Sequence, residues 1–116
     1  MNYRQRPKPP IPPASPPEAL VLGACIDYLR LRGHFVIRVN GGAFETNRGG
    51  YVRCVDIPGV ADLIGLTFDG KPLAVEVKSS TGKQSEAQKM FEKNWIYRHG
   101  VYVLARCIED LQEAGL

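Results

Sequence analysis

The sequence predicts an α/β domain of element order α-β-β-β-α-β, with a mixed central sheet flanked by helices on both faces. Three observations predict it. Two apolar runs, 59–66 and 73–78, flank an Asp69-Gly70 dipeptide, the turn chemistry of a β-hairpin, whose two loop residues must accept φ > 0. An amphipathic stretch at 85–98 then leads into the continuous apolar run 101–105, which should return parallel to the 73–78 strand through a right-handed crossover. A second amphipathic stretch, 18–32, opens the sequence of elements. With 116 residues, 44% of them hydrophobic, the chain is sized for one domain with a modest core, and its composition is not that of a disordered protein.

Residues 1–17 read as a proline-rich arm, extended or disordered, because prolines and the residues before them sustain neither helix nor ladder. Arg4, Arg6 and Lys8 make it basic. The domain proper is expected over 18–116. For the first helix Ser15 is the expected N-cap, Pro16 the first helical residue and Gly33 the stop. Glu18 would then hold the capping-box position. Glu18, Val21, Leu22, Cys25, Tyr28 and Leu29 share the face expected to pack on the sheet.

The run 34–39 is the first strand. Phe35, Ile37 and Val39 alternate with His34, Val36 and Arg38, so both faces are largely apolar and the strand is expected to be central or covered on both sides. His34 reads as an ordinary strand-start residue. Residues 40–56 form a long Gly-rich loop, or a loop containing a short extra hairpin around 51–55. Arg38, Arg48 and Arg53 interleave there with Phe44 and Tyr51, a pattern suited to phosphate contact and base stacking.

After the hairpin, 79–84 is a short polar connection whose amides, with Lys83, suit a phosphate near the next helix's N-terminus. Ser85 is that helix's expected N-cap and Gln88 its capping-box partner. Ala87, Met90, Phe91 and Trp95 form the stripe expected to dock on the sheet. Residues 108–114 close the chain as a short helix.

The net charge is +3; the last ten residues carry three acids and no base, which leaves the remainder at +6, a surface that suits a polyanion. No apolar run approaches a membrane span, and no apolar signal core follows the basic N-terminus, so a cytoplasmic protein is expected. Cys25, Cys54 and Cys107 are odd in number and widely spaced, without a metal or disulfide pattern, and are expected to be reduced thiols.

Charge at the hairpin sets the chemistry. Asp62 precedes Leu63 and Ile64, and Glu76 and Lys78 flank Val77 on one strand. Residues two apart on a strand share a face, so Glu76 and Lys78 are neighbours. Buried carboxylates repel, and a divalent cation between them resolves the conflict. Hard oxygen ligands favour Mg2+ or Mn2+ over zinc. A neighbouring lysine can hold a water or neutralise developing phosphate charge.

Gly59-Val60-Ala61-Asp62-Leu63-Ile64-Gly65, Glu76-Val77-Lys78, Thr81-Gly82-Lys83 and Gln88, in that order on a hairpin and the following helix, resemble the VRR-Nuc family of the PD-(D/E)xK nucleases. The resemblance spans roughly residues 18–105 and is closest to small stand-alone, virus-type members. It departs from the family's pattern at Pro58, four residues before Asp62, where no literal Pro-Asp pair stands. The resemblance implies a restriction-endonuclease-like core and a single nuclease domain. It implies metal ligation by Asp62, Glu76 and the backbone carbonyl of Val77. Lys78 would orient the attacking water, Glu18 would bind a second metal or position that water, and Gln88 would support Lys78 or the substrate. By analogy with the small members, a homodimer acting on four-way junctions or flaps of DNA is expected, in replication, repair or recombination. The alternatives are a catalytically silent nucleic-acid-binding or scaffold module on the same fold, and a generic domain in which Glu76 and Lys78 are a surface pair.

One geometric condition follows. A strict two-residue loop at Asp69-Gly70 pairs Asp62 with Val77 and turns Asp62 away from Glu76, because a slip of one residue flips every side chain. A shared site therefore requires a bulge or an odd-numbered loop between Asp62 and Glu76.

Overall fold

The computed structural model describes residues 16–39, 43–45, 49, 51–53 and 57–116, with the backbone alone at 43–45 and 51–53. The elements run α1 (Glu18–Leu31), β1 (Phe35–Arg38), β2 (Ala43–Glu45), β3 (Tyr51–Arg53), β4 (Leu63–Leu66), β5 (Pro72–Val77), α2 (Glu86–Tyr97), β6 (Val101–Ala105) and α3 (Ile108–Glu113). The expected arm through Ser15, Arg48 and Cys54 lie outside the described residues.

Four strands form one sheet in the order β1-β4-β5-β6, with β5 and β6 parallel and the other pairs antiparallel. This is the mixed sheet expected. Within it, β5 is an inner strand whose Leu73, Ala74, Val75, Glu76 and Val77 are all buried. The paired registers place Val36, Leu63, Leu73, Val75, Val77, Val103 and Ala105 on one face. There they join Leu22, Cys25 and Leu29 of α1, Leu111 of α3 and Leu116 in a single core cluster. The opposite face carries Glu76 and Tyr102 and is covered beside β6 by α2, whose Phe91 ring lies 6.3 Å from that of Tyr102.

The hairpin meets the condition set by the sequence. Leu66 pairs with Pro72, Gly65 with Leu73, Ile64 with Ala74 and Leu63 with Val75. The connection is therefore five residues, Thr67 to Lys71, an odd number. The Thr67 amide donates to the Lys71 carbonyl at 2.8 Å and the Gly70 amide to the Thr67 carbonyl at 2.9 Å, which narrows the turn to Phe68, Asp69 and Gly70. Gly70 takes φ +86°, the left-handed conformation that a three-residue hairpin loop requires and glycine adopts without a Cβ penalty.

Several expectations are corrected. The strand β1 is an edge strand, not a central one: Val36 is buried, but Phe35 and Ile37 are exposed on the other face. The N-cap of α1 is Pro17, not Ser15, and Glu18 is the first helical residue rather than a capping-box partner. A proline disfavours the helical conformation at the residue before it, so Pro16 does not open a helix ahead of Pro17. Pro17 itself is extended, with ψ 142°, and its carbonyl accepts from the Leu20 and Val21 amides. On α2, Phe91 and Trp95 are half-buried, but Met90 is exposed and lines an open apolar groove of about 530 Å³ with Ile57, Pro58 and Trp95. Within the loop 40–56, β2 and β3 form a two-stranded sheet of their own, so the extra hairpin begins ahead of the expected 51–55.

The cap of α2 is as expected. The Ser85 hydroxyl accepts from the Gln88 amide, and the Gln88 side chain accepts from the Ser85 amide. At the C-terminal end of α1, Gly33 and His34 donate to the carbonyls of Arg30 and Leu29, closing the helix as a Schellman motif. His34 also holds the hairpin tip, where its Nδ1 accepts from the Phe68 amide at 2.9 Å.

Candidate active site

The odd loop turns Asp62 and Glu76 toward one another. Asp62 sits one residue before β4, and its carbonyl accepts from the Val39 amide at 2.8 Å, fixing it between β1 and β5. Its Oδ2 accepts from the backbone amide of Val77 at 2.8 Å. Glu76 projects from the same part of β5 and is almost fully buried. Lys78 continues that face two residues on, with its Nζ 3.7 Å from Glu76 Oε1; the two side chains are 17% and 4% exposed. A pair so enclosed is far less screened than a surface ion pair.

Gln88 joins this group from α2. Its Nε2 donates to Glu76 Oε1 at 3.1 Å while its Oε1 accepts from the Ser85 amide at 2.9 Å. The cap and site roles read for Gln88 therefore coexist in one side chain. Glu76 Oε1 thus has a hydrogen bond and an ion pair. Glu76 Oε2 is buried and has no hydrogen-bond partner among the described residues.

Burial, and then the charge of Asp62, push the Glu76 carboxyl up to about 7 against the pull of Lys78. A buried carboxylate oxygen with no donor is costly. Its environment, a second carboxylate and no protein donor, suits a hard divalent cation, and the residues present fit such an ion through Asp62 and Glu76. Glu18 does not complete the set. It is exposed in the first turn of α1, and no cluster of three His, Cys, Asp or Glu side chains able to hold a metal occurs among the described residues.

The α2 terminus is held against the hairpin by the turn before Asp62. Gly59 has φ +78°, and a Cβ placed there would stand 2.3 Å from the backbone carbon and oxygen of Ala87. Only glycine permits this approach, which brings the start of α2, and so Gln88, to the turn that leads into Asp62.

Of the basic residues read as nucleic-acid contacts, the side chains of two are described. Arg38 ends β1 and is exposed; Lys83 is exposed in the connection before α2. Arg53 ends β3, and Arg48 lies outside the described residues.

Three polar residues of the surroundings carry no motif in the sequence. Gln84 Nε2 donates to both Glu92 Oε2 and the Tyr102 hydroxyl, each at 3.2 Å. Burial, with the nearby charges of Glu76, Glu92 and Asp62, pushes the Tyr102 phenol up to about 12, so it stays protonated. Arg106 donates through Nη1 to the carbonyls of Ser79 and Gly82. The only sequence signal for Tyr102 and Arg106 is a polar residue within, or at the end of, an otherwise apolar strand.

No family model matches the sequence, and no curated protein matches it. Among solved structures, the chain is similar to one described as a VRR_NUC domain, with a TM-score of 0.59 and 16% identity over 83% of this chain and 90% of that one. The chain therefore shares the fold of that domain, the α/β architecture expected from the sequence. No helix among the described residues is long and apolar enough to cross a membrane.

Proposed function

We propose that this chain is a nuclease of the VRR-Nuc type that hydrolyses DNA phosphodiester bonds with Mg2+ or Mn2+. The observation that carries the reading is the buried, unpartnered Oε2 of Glu76 beside Asp62, with Lys78 on the same face. The shared fold supports it, as do the ordered motif residues.

In this reading Asp62, Glu76 and the Val77 carbonyl would hold the cation. When bound, the ion would polarise the scissile phosphate and lower the pKa of the attacking water. Gln88 fixes the rotamer of Glu76 through Oε1 and leaves Oε2 for the ion. The Val77 amide does the same for Asp62 through Oδ2. Lys78 orients the water and meets the negative charge that develops on phosphorus-bound oxygens. Arg38, Arg48, Arg53 and Lys83 contact DNA phosphates, which fix position without reading sequence.

We assign the substrate as branched DNA, a four-way junction or flap, and the active species as a homodimer. The dimer is supported by exposed apolar surface of a kind that marks interfaces, including Ile57 and Met90 along the α2 groove and Phe35, Ile37 and Leu66 on the sheet, whereas the branched substrate rests on the resemblance to small VRR-Nuc members.

The test is cleavage of single-stranded, duplex, flap and four-way-junction DNA with Mg2+, Mn2+ or EDTA, beside Glu76→Ala. Metal-dependent cutting that disappears in Glu76→Ala is expected. Salt-sensitive binding without cutting under either metal would replace the nuclease with a catalytically silent DNA-binding module.

A further inference from the structure

Arg106 lies outside every motif that marks the site, yet it reaches back across the chain to the turn that follows Lys78. Its Nη1 donates to the carbonyl of Ser79 and, at 2.7 Å, to that of Gly82. Its own position is fixed from the other side, where its backbone amide donates to Asp110 Oδ2 of α3 at 2.8 Å. The residue before it anchors Lys78 directly: the Ala105 carbonyl accepts from the Lys78 amide at 3.0 Å.

The turn so held lies beside the Lys78 side chain. The Gly82 amide donates to the Ser79 carbonyl at 3.2 Å and to the Ser79 hydroxyl at 3.0 Å, closing the 79–82 segment on itself. A methyl group at Gly82 would stand 3.1 Å from Ser79 Oγ and 3.5 Å from Lys78 Cδ. The Lys78 stem thus passes beside Gly82, and its ammonium ends 3.7 Å from Glu76 Oε1. One nitrogen of a planar guanidinium bridges the first and last carbonyls of that turn.

We propose that Arg106 is a positioning residue for Lys78, acting through the Ser79–Gly82 turn; this deepens the nuclease reading and rests on it. Without the clamp the turn opens outward, Lys78 gains rotamers, and its ammonium spends less time on the face shared with Glu76. Positioning losses appear in the chemical step, because the interaction matters most where geometry is tightest.

The experiment compares the full chain with Arg106→Met, which keeps an unbranched stem and removes the donors, and with Arg106→Lys, which keeps a cation able to reach one carbonyl. Amide hydrogen exchange and cleavage kinetics are read on each. In Arg106→Met, the Gly82 amide is expected to exchange at least about tenfold faster, while Val103 and Val75 amides in the sheet keep their protection. Its kcat is expected to fall about tenfold with KM for DNA within about twofold, and Arg106→Lys to recover part of kcat. Faster exchange at Gly82 with kcat unchanged would make the clamp structural only and overturn the proposal. Unchanged exchange at Gly82 would overturn it as well. A raised KM with unchanged kcat would overturn it in favour of direct DNA contact by Arg106. Absence of cleavage by the wild-type chain would remove the nuclease reading and the proposal together, whereas wild-type cleavage matched by Arg106→Met removes the proposal alone.

Discussion

Gln88 Nε2 donates to Glu76 Oε1 at 3.1 Å while the other end of the same amide caps α2. A helix start and a buried carboxylate are thereby tied by one side chain, and the two roles can be separated. Gln88→Glu keeps an acceptor for the Ser85 amide, as capping boxes do, but loses the donor and sets a third carboxylate against Glu76. Gln88→Ala loses both. The expected outcome is that Gln88→Ala lowers stability by about 1 kcal/mol from the cap alone, measured by chemical denaturation. Gln88→Glu should cleave DNA no better than Gln88→Ala. Full activity in Gln88→Glu would confine Gln88 to capping.

Glu76 predicts a pH dependence of the metal-free protein. Its carboxyl stands near 7 in the fold against 4.5 for the free group, so between those values the folded state binds a proton that the unfolded state does not. Stability then falls as pH rises from about 4.5 to about 7 and is level outside that window. Other carboxylates titrate too, so the clean quantity is the difference between the wild type and Glu76→Gln in EDTA. That difference should be small near pH 4, should grow in favour of Glu76→Gln through pH 7, and should reach at most about 3 kcal/mol. A constant difference across pH would show that Glu76 carries no raised pKa.

Divalent ions should reverse this ranking. An ion at Glu76 must displace its proton, so Mg2+ binding should weaken by about tenfold per pH unit below 7. Mg2+ or Mn2+ should raise the melting temperature of the wild type at pH 7.5 and leave Glu76→Gln unmoved. Calorimetric titration at pH 6 and pH 7.5 checks the first point and thermal melts the second. Equal stabilisation of both proteins would place the ion elsewhere.

The hairpin is legible in the sequence because its signals are local. Asp69-Gly70 announces the turn, and a shared site for Asp62 and Glu76 demands an odd loop, which the Leu66–Pro72 pairing supplies. The cap at Ser85 and Gln88 is legible for the same reason. The edge position of β1 is not. Phe35 and Ile37 opposite Val36 look like a strand covered on both sides, and only long-range pairing decides that β4, not β1, lies next to β5. The start of α1 is displaced from the Ser15 cap signal because Pro17 constrains Pro16. Gln84 with Tyr102 and Arg106 with Ser79 join positions 18 and 27 residues apart, which no periodicity reports.

Gly59 offers a test of how the site is assembled. Alanine there would place its Cβ 2.3 Å from the Ala87 backbone, at φ +78°, where L-residues are strained. Backbone cannot rotate aside as a side chain can, so α2 must move away from the turn before Asp62. We expect Gly59→Ala to cost about 2–3 kcal/mol in chemical denaturation, from strain and lost packing together. Gly70→Ala is the comparison: it shares the positive φ, at +86°, but meets no atom within 4 Å, so it should cost only about 1 kcal/mol. The two should also differ in function. Gly59→Ala draws Gln88 from Glu76 and should lower cleavage in the surviving folded protein, whereas Gly70→Ala, at the far end of the hairpin, should leave it intact. Equal effects of the two substitutions on cleavage would mean that the contact between Gly59 and Ala87 does not set the position of Gln88.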